Sequence, residues 1–160
     1  MTFDNSRRII GSRLVLFAAT FPFLAFLFLS YIVKMIKFPL LGLNETIWIV
    51  SISVLYVLIA YYPTILKYNY IYFSDDGKAI ILRYYSAGIM KGARHSVEIP
   101  KQSFSGYSGG NLIPGLIPYI ILYEKRQGKV AKYPPVYLSA LKKKDRERVY
   151  EALSAYSPGT

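Results

Sequence analysis

Cysteine is absent from this 160-residue chain. Its absence excludes disulfides and thiolate metal sites, and it fits a reducing compartment. Histidine occurs once, at His95, and nine acidic residues stand against twenty Lys and Arg. Acid–base or metal chemistry wants a carboxylate or a second imidazole beside such a histidine. His95 instead sits between Arg94 and Ser96, where a solvated strand histidine is the simpler reading. Asp75 and Asp76 belong to a turn signal, and Asp145, Glu147 and Glu151 to a helix face, so no spacing pairs two carboxylates. Gly109-Gly110 lacks Walker or dinucleotide context and reads as loop flexibility. These shortages predict a protein that is not an enzyme, with no cofactor and no metal.

Charge is missing altogether from two stretches, Leu14 to Val33 and Thr46 to Leu66. Each has about the length that crosses a ~30 Å hydrocarbon core as a helix. A buried helix of a soluble protein normally keeps a polar face, whereas Leu14 to Phe17 and Phe21 to Leu29 leave none. A cleavable leader is the other reading of the first stretch, after Arg7, Arg8 and Arg13, but the apolar run exceeds a leader's usual core. Retention is expected. Residues 1–66 are therefore read as a two-helix membrane anchor with spans at 14–33 and 46–66. Basic residues mark the cytoplasmic side. Arg7, Arg8 and Arg13 before the first span and Lys67 after the second place both termini there, against Lys34 and Lys37 in the connection. The expected location is the inner or cytoplasmic membrane, multi-pass. Pro22 is expected to kink the first span, which neighbouring helices tolerate.

Residues 67–160 form one small domain with a modest core. Of the formal charge of +11, this domain carries +8, from fifteen Lys and Arg against seven acids. Such charge beside a membrane suggests attraction to anionic lipid; no nucleic-acid motif accompanies it. Tyr68–Ser74 alternates as a strand, and Ser74-Asp75-Asp76-Gly77 is a hairpin turn signal. Ala79–Tyr85 pairs back, Gly88 and Gly92 break the chain, and Ala93–Ile99 alternates until Pro100. Gln102–Tyr107 and Pro118–Glu124 follow, then a turn at Arg126–Lys129. Val130–Tyr137 is a last strand whose Pro134 and Pro135 imply an edge or a bulge. Lys144–Tyr156 is a helix with Val149, Ala152, Leu153 and Tyr156 on its apolar stripe, Asp145 at its start, and Ser157-Pro158-Gly159 as its stop.

Six or seven antiparallel strands followed by one amphipathic helix need the open end of the meander covered. The stretches YIYFSDDGKAIILRYY, GIMKGARHSVEIP and VYLSALKKKDRERVYEAL resemble the bacterial membrane proteins that place a pleckstrin-homology-like domain after two spans. That resemblance implies an α+β domain, a small β-barrel or sandwich closed by the C-terminal helix. A fainter likeness, through RRIIGSR and the same layout, is to the two-span photosystem I assembly factor.

Two segments stand out as surfaces. Leu112, Ile113, Leu116 and Ile117 lie in a loop stiffened by Pro114 and Pro118, which reads either as a flap over the core or as an apolar docking knob. Lys142, Lys143, Lys144, Arg146 and Arg148 cluster at the helix start, read either as a solvated face or as a contact for lipid headgroups. The expected function is an interaction module, an accessory or assembly subunit of a larger membrane complex. The expected partner is an integral membrane protein complex or further copies of the chain. The alternative is a membrane sensor of anionic lipid; nucleic acid is not expected.

Overall fold

The computed structural model describes residues 1–88 and 92–157. Two parts of the sequence expectations lie outside them: Ile89–Lys91 of the GIMKG stretch, and the helix stop at Pro158-Gly159. The chain divides into two compact units, one of Met1–Ile9 with Pro63–Thr160 and one of Ile10–Tyr62.

The helical unit is built from α1 (Ser6–Leu27), a π-helical turn at Phe28–Ile32, and α2 (Glu45–Ile65). Both helices are apolar, exposed and long enough to span a membrane. The first starts eight residues before the uncharged stretch does. Asp4 explains this: its carboxylate accepts the Ser6 backbone N–H at 3.0 Å and the Ser6 hydroxyl at 2.7 Å, satisfying groups that a helix N-terminus leaves open. Arg7, Arg8 and Arg13 thus ride on the first turns of α1. Pro22 lies inside α1, and at the π turn the Val33 N–H reaches the Phe28 carbonyl. The two helices meet at Tyr56, whose ring stacks on Phe23 at 4.3 Å and whose hydroxyl lies 3.1 Å from that of Thr20.

The other unit holds two antiparallel four-stranded sheets and a C-terminal helix. The first sheet runs β1 (Thr2–Asp4), β2 (Asn69–Ser74), β3 (Ala79–Ser86), β4 (His95–Pro100). In the second, β5 (Phe104–Asn111) pairs with β6 (Pro118–Arg126). The other edge of β6 is taken by β7 (Lys129–Lys132) and β8 (Val136–Tyr137) in succession. Among the described residues no ladder joins β4 to β5, so no closed barrel forms. The strand count exceeds the expected six or seven for two reasons. β1 lies before the helices, and Pro134-Pro135, which cannot donate to a ladder, split the last strand into β7 and β8 along one edge.

Both sheets and the helix α3 (Lys143–Ser154) share one core. Ile71, Phe73, Ile80, Leu82, Val97 and Ile99 come from the first sheet, Ile120 and Leu122 from the second, and Val149 and Leu153 from α3. The expected stripe of α3 therefore does face the core, with Ala152 and Tyr156 at its margin. Lys142 is the N-cap and makes no side-chain cap, so Asp145 acts through its charge in the first turn alone. A smaller cluster joins Ile9 with Tyr68, Ala87 and Ala140. Beside it the buried Asn5 carboxamide accepts the Ile71 N–H at 2.8 Å and donates to the Asn69 carbonyl at 2.9 Å.

Candidate functional site

The β5–β6 connection is an ordered hairpin tip. The Leu112 N–H donates to the Ile117 carbonyl at 2.9 Å and the Leu116 N–H to the Ile113 carbonyl at 3.0 Å. Between them Pro114 precedes Gly115, whose φ is +75°. Proline then glycine with positive φ is the order a type II turn requires. The tip points Leu112, Ile113 and Leu116 outward, at 52%, 44% and 56% exposure, while Ile117 is buried. Three of the four residues singled out from the sequence thus form a surface knob. The fourth anchors it in the unit below.

Gly109 and Gly110 are not loop. They are strand residues of β5, opposite Ile120 and Tyr119. A β-carbon at Gly110 would lie 2.6 Å from the Tyr119 hydroxyl, and one at Gly109 would touch the Tyr150 ring at 3.5 Å. Glycine here lets two aromatic rings lie against the strand. A groove of about 440 Å³ results, lined by Gly109, Gly110, Asn111 and Pro118 on the hairpin side and by Lys143, Arg146, Glu147 and Tyr150 on α3. Burial holds the Tyr150 phenol above its ordinary pKa, so it stays an uncharged hydrogen-bonding group at neutral pH.

The groove brings the two sequence-derived patches together: the foot of the apolar tip on one wall, the basic helix start on the other. Lys142, Lys143, Lys144 and Arg148 are exposed and Arg146 is half-buried. The one ion pair among these five in the described residues joins Lys143 to Glu147 at 3.9 Å, an exposed pair of small worth. Asn111, Pro118 and Tyr150 complete the groove. The sequence hinted at them only through the glycine pair and the two tyrosines that need its space.

Four other acids have structural partners. Glu98 pairs with Arg83 at 3.4 Å, Glu124 accepts the Tyr133 hydroxyl at 2.6 Å, and Asp75 and Asp76 contact the Met1 amine. Among the described residues no three of His, Cys, Asp and Glu gather into a ligand set. His95 is exposed at the start of β4 and stacks on Tyr84 at 5.1 Å.

Comparison with protein-family models, with curated proteins and with solved structures returns no match to this chain.

Proposed function

We propose that the chain is a non-enzymatic integral membrane protein whose sheet domain, of the pleckstrin-homology-like kind, is an interaction module for a larger membrane protein complex. Its role there is that of an accessory or assembly subunit, with both termini in the cytoplasm. The observation that carries the module reading is the hairpin tip: three large aliphatic side chains held outward on a hydrogen-bonded turn, beside a basic groove. Ordered apolar knobs of this kind are costly to leave in water and mark contact surfaces. Support for the membrane comes from the helices, where Phe17, Phe21 and Leu24 of α1 and Val50, Val54 and Leu58 of α2 are all exposed.

Leu112→Ser with Ile113→Ser tests the module. The full chain, extracted in mild detergent, should keep its melting temperature and lose a co-purifying membrane protein. A folded double variant that keeps every partner overturns the docking role. Topology is tested by thiol labelling: Cys placed at Asn44 should react with an impermeant reagent from outside, and Cys at Ser157 should not. The opposite pattern reverses the orientation.

Anionic lipid is a second reading, favoured by the exposed and mostly unpaired Lys142, Lys143, Lys144 and Arg148. Each basic residue near an anionic surface contributes about 1 kcal/mol. Replacing the three lysines by Gln should then lower the affinity of the protein for anionic over neutral bilayers, and the difference should shrink with salt. Equal affinity for both bilayers removes this reading.

A further inference from the structure

A second concave site lies on the first sheet, away from the hairpin groove. It is a cleft of about 420 Å³ whose lining includes Tyr70, Tyr85, Arg83, Arg94 and His95. Among the described residues no carboxylate lines it. Antiparallel register gathers side chains from distant parts of the chain on one face: Tyr70 faces Tyr85 and Arg83 faces Ser96, while the core residue Tyr84 and its partner His95 alternate to the other face. One wall is preset by a ring contact, Tyr70 on Tyr85 at 4.7 Å. Arg83 shares its charge with Glu98 at 3.4 Å, both exposed, a bond that a better anion displaces at little cost. Arg94 is exposed and has no ion pair among the described residues. The neighbouring Asp4 is committed to Ser6 and to the Tyr70 hydroxyl. Two guanidinium forks and the Ser96 hydroxyl beside an aromatic wall suit a phosphate oxyanion attached to a carbon skeleton.

The place of the cleft narrows the source of that phosphate. It lies at the end of the sheet where β2 begins, β3 ends and β4 begins. Along the chain, α1 begins two residues after Asp4 of β1, and α2 ends at Ile65, four residues before β2 begins. Tyr70 follows Ile65 by five residues, at most about 18 Å of extended chain. If the helices span a bilayer, headgroups lie within that reach, because the polar zone adds roughly 5–8 Å on each side of the hydrocarbon.

We propose that this cleft binds a phosphate monoester, with Arg94 and Arg83 on the oxyanion and the Tyr70–Tyr85 pair against the attached carbon, and that an anionic phospholipid headgroup is its source. The choice of lipid over a soluble phosphate rests on the membrane reading above; the anion site itself does not. The test uses the full chain in neutral detergent, with binding measured by titration calorimetry. The probes are short-chain phosphatidic acid, glycerol 3-phosphate and inorganic phosphate. Phosphatidic acid should bind. Arg94→Gln should weaken it by about tenfold, as loss of a charge-assisted hydrogen bond does, and Arg83→Gln should weaken it as well. Replacing Lys129 and Lys132, exposed on β7, by Gln should leave it unchanged, because that edge is not part of the cleft. Glycerol 3-phosphate or inorganic phosphate binding as tightly as the lipid overturns the lipid source and keeps the anion site. Absence of binding by all three probes, an unchanged Arg94→Gln, or a loss confined to the lysine variant overturns the site. Alkaline carbonate extraction of the parent reports on the membrane reading separately: a released protein that still binds phosphatidic acid through Arg94 retains the site without the anchor.

Discussion

Leu58 of α2 and Leu153 of α3 are both helical leucines, yet Leu58 is 56% exposed and Leu153 is 1% exposed. The contrast holds for the units they belong to. In the sheet unit, apolar side chains converge on one shared core, and α3 turns Arg and Glu outward. In the helical unit, large apolar side chains point outward around both helices, and α2 has no buried residue at all. One chain thus answers the same hydrophobic effect in two ways. It removes apolar surface from water by packing in the first case and, on the proposed reading, by choosing lipid as the solvent in the second. Substitutions should separate the two answers.

The largest effect is expected where packing does the work. Leu153→Ala deletes a side chain enclosed by both sheets and should cost about 2–5 kcal/mol. Thermal unfolding of the full chain, followed by the β-sheet signal, measures it. A melting temperature equal to the parent's would refute the assignment of this helix face to the core.

Next come the polar bonds that the sheet unit buries. Asn5→Ala leaves the Ile71 N–H and the Asn69 carbonyl without their side-chain partner, at about 1–3 kcal/mol for a buried unsatisfied group. Tyr133→Phe removes the hydroxyl that Glu124, itself buried, accepts at 2.6 Å, and about 1–2 kcal/mol is expected. The same hydrogen bond, helped by burial, raises the Tyr133 pKa. In a parent-to-variant comparison by alkaline ultraviolet titration, Tyr133 should therefore ionise above the ordinary phenol range.

How much of this was readable in the sequence follows from the kind of signal each element carries. The apolar helices, the paired strands around Asp75–Gly77, the strand Pro118–Glu124 and the stripe of α3 are set by local periodicity, and the structure has all of them. β1 was not readable: Thr2–Asp4 is too short to alternate, and it becomes a strand only because β2 offers an edge more than sixty residues later. Gly109-Gly110 reads as loop because glycine usually marks one. Only the rings of Tyr119 and Tyr150, known from the fold, explain glycine in a strand there. The outward Leu112 and the inward Ile117 are chemically alike, and the turn at Pro114-Gly115 decides which one faces solvent. The cleft of Tyr70, Arg83 and Arg94 has no local signal at all, because only strand register brings it together.

A smaller effect is expected at the start of α1. The Ser6 hydroxyl, and after it the Ser6 backbone N–H, hold the Asp4 carboxyl below the usual aspartate range. A lowered folded-state pKa stabilises the folded protein above the ordinary aspartate value, near about 3.9, and that contribution is lost as pH falls through the lowered one. Asp4→Ala should therefore melt lower than the parent by a constant margin between neutral pH and about pH 5, and the margin should close at more acid pH. A margin independent of pH would mean that packing at Asp4, and not its charge, supports the helix start.

The smallest effect is expected from Leu58→Ala, the same substitution as at Leu153. If lipid tails surround Leu58, they fill the space that truncation leaves, so no cavity term arises. What remains is the lower transfer free energy of a shorter side chain, about 0.5 kcal/mol at a helix centre. Tyr56→Ala, two residues away, is the internal control: it removes the stack on Phe23 and the contact with Thr20, so it should loosen the helix pair measurably. Unfolding of the full chain in mixed micelles, titrated with a denaturing detergent, reads both. A near-silent Leu58→Ala beside a destabilised Tyr56→Ala fits a two-helix unit with a lipid-facing exterior. A loss at Leu58 as large as that at Leu153 would mean that protein covers this face, either a second copy or the partner complex. Concentration dependence of the loss would then separate those two occupants, since self-association weakens on dilution and a co-purified partner bound tightly does not.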